Sequence, residues 1–298
     1  MASTESQTQE MGRIKVRITK GSVLSSLLIV LVFIGINCLG YVLNVLNEFV
    51  LFVLFSMYFI VNIIIILFSN RLDTVPIEKW GKTFRKYSHL AGGLVALLFA
   101  LFGIIQLGWI CFSILMAFLI HEYFYVRKNI YGMYTKTLIF VGRLDRRYDP
   151  NSQENPKPFY PTMWLLAALS IFGLIVYIHA LYIVAILDVA VLAVIGAVVA
   201  FTFGDSLSTM VGEQFGKHKL PYNKIKSIEG TLAFFGITFV GIIIVLIIGG
   251  QFNWIVALIA ALVGSISESI IPTNHWLDDN FVVPVSVAVV LYLGLLLI

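Results

Sequence analysis

The chain has 298 residues, 59% of them hydrophobic and only 12% charged, and its mean hydropathy is +0.95. That balance excludes a soluble globular domain, because a helical chain so rich in apolar residues needs lipid as the solvent for most of its length. The formal net charge of +4 comes without a basic patch interleaved with exposed aromatics, so nucleic acid is not an expected partner, and membrane topology explains the charge better.

Residues 1–11 are polar and unpatterned, and the basic stretch 13–20 leads into an apolar run too long for the core of a signal peptide. We expect residues 1–20 to be a disordered cytoplasmic tail ahead of a membrane anchor. A helix needs about 20 mostly apolar residues to cross the hydrocarbon. Such runs fall at residues 22–45, 46–69, 89–105, 107–126, 162–179, 180–203, 231–249, 253–270 and 281–298. The expected fold class is therefore all-α, a polytopic transmembrane helix bundle of about nine spans, with eight or ten as the weighed alternatives. Residues 21–70 form two accessory spans in this reading, and residues 71–298 the catalytic membrane bundle. Cys38 and Cys111 lie inside apolar runs without metal or redox-pair spacing and read as packing or lipid-facing residues.

All 20 Lys and Arg residues lie in the tail or in the connections 70–88, 127–161, 204–230 and 271–280. The short connections near Asn44, Gln106, His179 and Gly250 carry no Lys or Arg. The positive-inside rule thus predicts an N-in, C-out topology with the polar loops on the cytoplasmic side. No internal repeat of the transporter kind is visible.

In chain order, the first chemical constellation is FRKYSH, in which Arg85 and His89 are one helical turn apart. Arginine recognises phosphate bidentately, and a neutral imidazole can accept a proton from an alcohol. A basic pair of Arg85 and Lys86 touching headgroups is the plainer alternative. Glu48, Asp188, His121 and Glu122 lie within or at the ends of apolar runs. His121 and Glu122 read as interfacial, and Asp188 as a bonding partner inside the bundle. The loop RLDRRYD at 143–149 reads as a solvated charge run.

The densest polar segment, residues 204–231, reads GDSLSTMVGEQFGKHKLPYNKIKSIEGT. If the helix continues past Asp205, Ser208 and Thr209 share its face. An acid with two hydroxyls could hold a cation and phosphate oxygens; an interfacial acid is the alternative. Gly212, Gly216 and Lys217 fall one residue short of a Walker A spacing, and His218 stands where a hydroxyl is required, so these glycines read as turn formers with Lys217 and Lys219 as optional phosphate partners. Lys226, Ser227, Glu229, Gly230 and Thr231 precede the next span as a possible anion cradle. Equally, Ser227 could be an N-cap and Glu229 a charge opposing the helix dipole. Glu268 ends one span, and Asp278, Asp279 and Asn280 begin the last. Acids at membrane depth are expensive and usually functional, although Asp278 or Asp279 could simply cap that helix with Pro284 in its first turn.

Taken together, FRKYSH, FGDSLSTMVGEQFGK, KSIEGTLAFF, and SES followed by WLDDNFVVPV resemble the CTP-dependent membrane lipid kinases, the family of dolichol kinase, phytol kinase and fungal-type diacylglycerol kinase. The likeness runs from about Arg85 to the C-terminus and leaves out the two N-terminal spans. It implies transfer of the γ-phosphate of CTP to the hydroxyl of a membrane isoprenoid alcohol or diacylglycerol, with Mg2+ or another divalent cation. It also implies that Asp205, Lys226, Ser227 and Glu229 belong to the nucleotide and metal site, with Asp279 and Asn280 nearby, and that Arg85, Lys86 and His89 match the family's early motif. Adding the residues singled out above, the expected catalytic set is Asp205, Lys226, Glu229 and His89. Arg85, Lys86, Ser208, Gly212, Gly216, Lys217, Ser227, Gly230 and Thr231 are expected at nucleotide and phosphate, and Asp205, Glu229, Glu268, Asp279 and Asn280 at the metal. Spacing and composition do not separate CTP from ATP. The expected location is an integral membrane protein with its active site on the cytoplasmic face, in the plasma membrane of a prokaryote or the endoplasmic reticulum of a eukaryote. The alternatives are a phosphatidate cytidylyltransferase-like enzyme, whose Lys-Asp pair and Gly-His-Gly-Gly segment are missing here, and an ion-coupled transporter, for which polar residues along several spans are missing.

Overall fold

The computed structural model describes residues 20–68, 103–128, 130, 160–270 and 278–297. All regular structure among these residues is helical apart from one isolated antiparallel bridge, Lys219 with Ser227. The helices are α1 (Lys20–Val42), α2 (Glu48–Phe68), α3 (Ile104–Glu122), α4 (Tyr160–Tyr182), α5 (Leu187–Val199), α6 (Ser206–Phe215), α7 (Ile228–Ile248), α8 (Trp254–Ile270) and α9 (Asp279–Leu296). Six described helical stretches are long and apolar enough to cross a membrane: Gly21–Val42, Ile104–Tyr125, Trp164–Tyr182, Val184–Phe215, Ile228–Ile248 and Asp279–Leu296. This is the pattern of a membrane protein. The predicted span 89–105 lies almost wholly outside the described residues, as do the tail, the connections 70–88 and 131–159, and with them Arg85, Lys86 and His89.

The chain divides into two compact units, Met1–Phe84 with Ser113–Phe159, and Arg85–Phe112 with Tyr160–Ile298. In the first, α1 and α2 are joined by a tight turn in which Asn44 takes a positive φ of 56°, a conformation Asn tolerates better than most residues. Asn47 accepts from the Val50 amide at the start of α2, and Glu48 accepts from the Tyr41 hydroxyl. His121, expected at the interface, is buried against Tyr125.

In the second unit, the beginning of α3 crosses α4 at Gly108 and Gly173. A side chain on either glycine would run into the backbone of the other, the close approach that small residues allow between membrane helices. Replacing Gly173 with Leu is expected to cost about 1–3 kcal/mol or more through overpacking, read as a lower unfolding temperature in detergent; an unchanged temperature would show that the crossing contributes nothing. The junction before α3 sits at Gly103, with φ +152°, three residues earlier than the turn expected near Gln106.

The helix continues past the end of the predicted apolar run at residue 203, as the shared face of Asp205, Ser208 and Thr209 requires. From Val184 the chain runs as one helical rod of 32 residues to Phe215, passing through a wider π turn at Ala200–Asp205. Nothing in SLSTMVGEQF breaks a helix, so the backbone keeps its hydrogen bonds until Gly216. Asp188, expected inside the bundle, is exposed in the first turn of α5, where a negative charge suits the helix dipole.

Helix α7 is apolar on every side, so burial rather than polarity distinguishes its faces. Gly230, Phe234, Thr238 and Ile242 recur every four residues on the buried face, whereas Leu232, Val240, Ile244 and Ile247 are exposed, as lipid-facing residues would be. The buried face runs antiparallel to the rod. Gly241 lies against Val199, Thr238 against Gly204, and Gly230 against Gly212. At one pole of this unit lie the ends of α6 and α8 and the starts of α7 and α9. At the other, His179 meets Tyr292 at 2.6 Å, Gly249 meets Leu192, and Gly294 meets Val256.

Candidate functional site

The first pole is built around Lys226. The connection between α6 and α7 doubles back: the Leu220 amide donates to the Lys226 carbonyl, and the Ile228 amide to that of His218. It is pinned to the end of α8, where the Asn223 side chain donates to the Ser269 carbonyl and the Tyr222 hydroxyl to the Ser269 hydroxyl. The last carbonyls of a helix lack partners within it, and this loop supplies them. The Lys226 ammonium also donates to the Glu268 carbonyl, placing a positive charge at the negative end of the helix dipole.

The same ammonium reaches the Glu268 carboxylate at 2.5 Å and Asp279 at 3.4 Å, with the Lys226 and Glu268 side chains each 8% exposed and Asp279 19%. Burial acts to lower the Lys226 pKa. The charges of Glu268 and Asp279, the hydrogen bond with Glu268 and the charge of Asp205 outweigh it, so the ammonium is held above its usual range. The charge of Asp205, the last residue of the π turn, is the smallest of these contributions. Acids from the 268 and 279 regions meet at one cation from the 226 region, widely separated from them in sequence.

Two neighbouring residues take the cap roles weighed from the sequence. Ser227 is the N-cap of α7 and accepts from the Gly230 amide at 3.2 Å. Asp278 caps α9 by accepting from the Asn280 amide, and it also accepts from the Asn280 side chain. Pro284 lies at the sixth residue of α9, beyond the first turn where it was expected. Glu229 accepts from the amides of Lys217 and His218 at 3.2 Å and pairs with the His218 ring at 2.7 Å. It clasps the start of the connection, so its recorded partners are donors from 217–218 rather than Lys226. Lys217, Lys219 and Lys224 are exposed at this pole.

The glycines act through space more than through turning. Gly212, expected at a turn, lies inside α6, where a Cβ would sit 3.5 Å from the Gly230 Cα. Gly216 does end α6, but with a φ of −70°. It is required because a Cβ would collide with the Gly212 carbonyl and Ser227. Ser208 is buried and donates to the Asp205 carbonyl at 3.0 Å, which leaves its oxygen only an acceptor role. The buried hydroxyl oxygen of Thr231 makes no hydrogen bond.

The acids do not form a resident metal cage. Among the described residues no three His, Cys, Asp or Glu side chains form a group able to hold a metal ion. Magnesium, however, usually takes one or two carboxylates and completes its shell with water and phosphate oxygens. Glu268 and Asp279, already gathered on one cation, are such a pair.

Residues that sequence reasoning missed are Tyr222, Asn223 and Ser269, which dock the loop, and His218, which holds Glu229. Ser269 is 47 and 46 residues from its partners, and no local pattern encodes contacts at that range.

Comparison with known protein families, curated proteins and solved structures finds no match to this chain.

Proposed function

We propose that this protein is a membrane lipid-alcohol kinase that transfers the γ-phosphate of CTP to the hydroxyl of an isoprenoid alcohol, of the dolichol, polyprenol or phytol type, or of diacylglycerol. The observation that carries this reading is the meeting of Glu268 and Asp279 at Lys226, in segments that separately resemble the CTP-dependent lipid kinases. The chain crosses the membrane about nine times with its N-terminus in the cytoplasm, and the site opens on that face. Exposure of Lys217, Lys219 and Lys224 at the pole of the acids supports that orientation.

In this mechanism the lipid's chain lies among the helices and its hydroxyl emerges beside the acids. The hydroxyl oxygen forms a bond to the γ-phosphorus, the bridging β–γ bond breaks, CDP leaves, and the hydroxyl proton passes to His89 or a neighbouring carboxylate. Such transfer depends mainly on alignment and on neutralising charge. Glu268 and Asp279 would hold a divalent cation, which when bound neutralises phosphate charge. Arg85, Lys86 and Lys217 would meet phosphate oxygens. The N-terminus of α7, capped by Ser227, adds a partial positive charge.

The test is transfer of labelled γ-phosphate from CTP, and separately from ATP, to a panel of lipid alcohols by the purified protein in detergent with magnesium. Label in a lipid product formed from CTP is the expected result. No label in any alcohol, with either nucleotide, would overturn the reading.

A further inference from the structure

Residues 216–227, which join α6 to α7, contain four lysines and no acid. The backbone bonds of Leu220 with Lys226 and of Ile228 with His218, together with the Lys219–Ser227 bridge, fold them into a short hairpin. Leu220, Asn223, Lys226 and Ser227 form its buried side. The other side mixes two chemistries. Lys217, Lys219 and Lys224 are exposed, and beside them stand Tyr222, 62% exposed, and Ile225, 56% exposed. The tip is held in this posture. Asn223, between the two apolar side chains, donates to the Ser269 carbonyl and accepts from the Ile225 amide, and the Tyr222 hydroxyl is tied to Ser269. Lys219 donates to the Ile225 carbonyl at 3.1 Å, which leaves two of its three N–H bonds for another acceptor.

The exposed apolar surface of the adjoining helices runs into this hairpin. Ile228 and Leu232, one turn apart at the start of α7, are 43% and 62% exposed, and Phe215, the last residue of α6, is 62% exposed. The hairpin therefore begins where the lipid-facing surface of a membrane-spanning helix ends. At that level of a bilayer, tyrosine rings and aliphatic side chains settle among the upper acyl chains while lysines reach up to the phosphates. We propose that the tip of this hairpin is a docking surface for an anionic phospholipid, with Tyr222 and Ile225 against its acyl and glycerol region and Lys219 and Lys224 on its headgroup phosphate. A net negative headgroup is favoured because no acid of residues 216–227 offsets the lysines. A soluble anion would match the ammonium groups and leave Tyr222 and Ile225 in water. The bound lipid braces the hairpin that carries Lys226 to the end of α8. This inference goes beyond the kinase reading and needs only that the chain spans a membrane.

The experiment titrates phosphatidylglycerol, and separately phosphatidylcholine with the same acyl chains, into the full chain in detergent and counts bound lipid by native mass spectrometry. The unaltered protein should bind phosphatidylglycerol the more tightly. Each lysine at an anionic surface contributes about fivefold to binding, so Lys219→Gln with Lys224→Gln should weaken phosphatidylglycerol by about tenfold or more and leave phosphatidylcholine unchanged. Lys217 is kept, because it is placed at the nucleotide phosphates. Equal binding of the two lipids overturns the proposal, as does unchanged phosphatidylglycerol binding by the double variant. Displacement of the lipid by millimolar inorganic phosphate would assign the lysines to a soluble anion and overturn it too. The apolar half is read separately, from a spin label on Ile225→Cys in a chain carrying Cys38→Ala and Cys111→Ala, reconstituted in vesicles containing phosphatidylglycerol. Collisions with oxygen should exceed those with a water-soluble nickel chelate, and the reverse would place the tip in water and overturn the docking. Neither measurement contains a nucleotide or a lipid alcohol, so failure of phosphoryl transfer alongside these results would fail the kinase reading alone.

Discussion

Asp205→Asn is expected to lower transfer of phosphate to lipid by about 10^2–10^3-fold, the scale on which removing one charge-stabilising group acts at a preorganised site. The substitution keeps shape and removes charge. Asp205 sits at the end of the π turn, and its charge acts on both Lys226 and Glu268, so the loss falls at the centre of the polar pole. The rod itself should persist, because Gly204 and Ser208 retain their packing. Initial rates of labelled lipid formation, compared at matched folded protein, check this. A variant retaining a third or more of the activity would remove Asp205 from the site. A fall in rate with an unchanged unfolding temperature is the signature of a functional rather than a structural role.

Glu268→Ala should have the largest effect on stability. Breaking a buried ion pair by deleting one partner costs about 3–5 kcal/mol, because the other charge remains in a poorly solvated place. Lys226 and Glu268 are each only 8% exposed, so solvent screens them little. Asp279, at 3.4 Å from the ammonium, would keep part of the compensation, and the expected loss is toward the lower end, about 3 kcal/mol. Asp279→Asn, at a longer distance and a more exposed position, should cost less, about 1 kcal/mol. The paired change Lys226→Met with Glu268→Met should recover part of the loss from Glu268→Ala, since it removes both buried charges of the pair while taking the ammonium from the more exposed Asp279. Thermal unfolding in detergent decides the order. Were the double variant no more stable than Glu268→Ala, the pair would be acting through the Glu268 carbonyl cap instead.

Legibility in the sequence varied with the range of the interaction. Local signals were read well. Ser227 and Asp278 cap helices at the positions where short polar side chains precede apolar runs, and helices occupy the described apolar runs. The apolar run ends at residue 203, but loss of hydropathy and helix termination are separate events. The helix ends where its backbone loses partners, at Gly216, twelve residues after the composition turns polar. Of the two glycines expected at turns, Gly216 does end α6, where a Cβ would also collide with Ser227; Gly212 lies inside α6, a placement the one-dimensional pattern does not show.

The amino-acid sequence by itself determined the solvent, the all-helical class and the segments that carry the polar chemistry, because apolar run length and charge content act over a few turns of chain. Only the tertiary structure decided which of the separated acids reach Lys226 and that Glu229 accepts from the amides of Lys217 and His218. Those choices depend on contacts across 42 and 53 residues. At that separation the geometry of packed helices selects partners, and the spacing of residues along the chain no longer does.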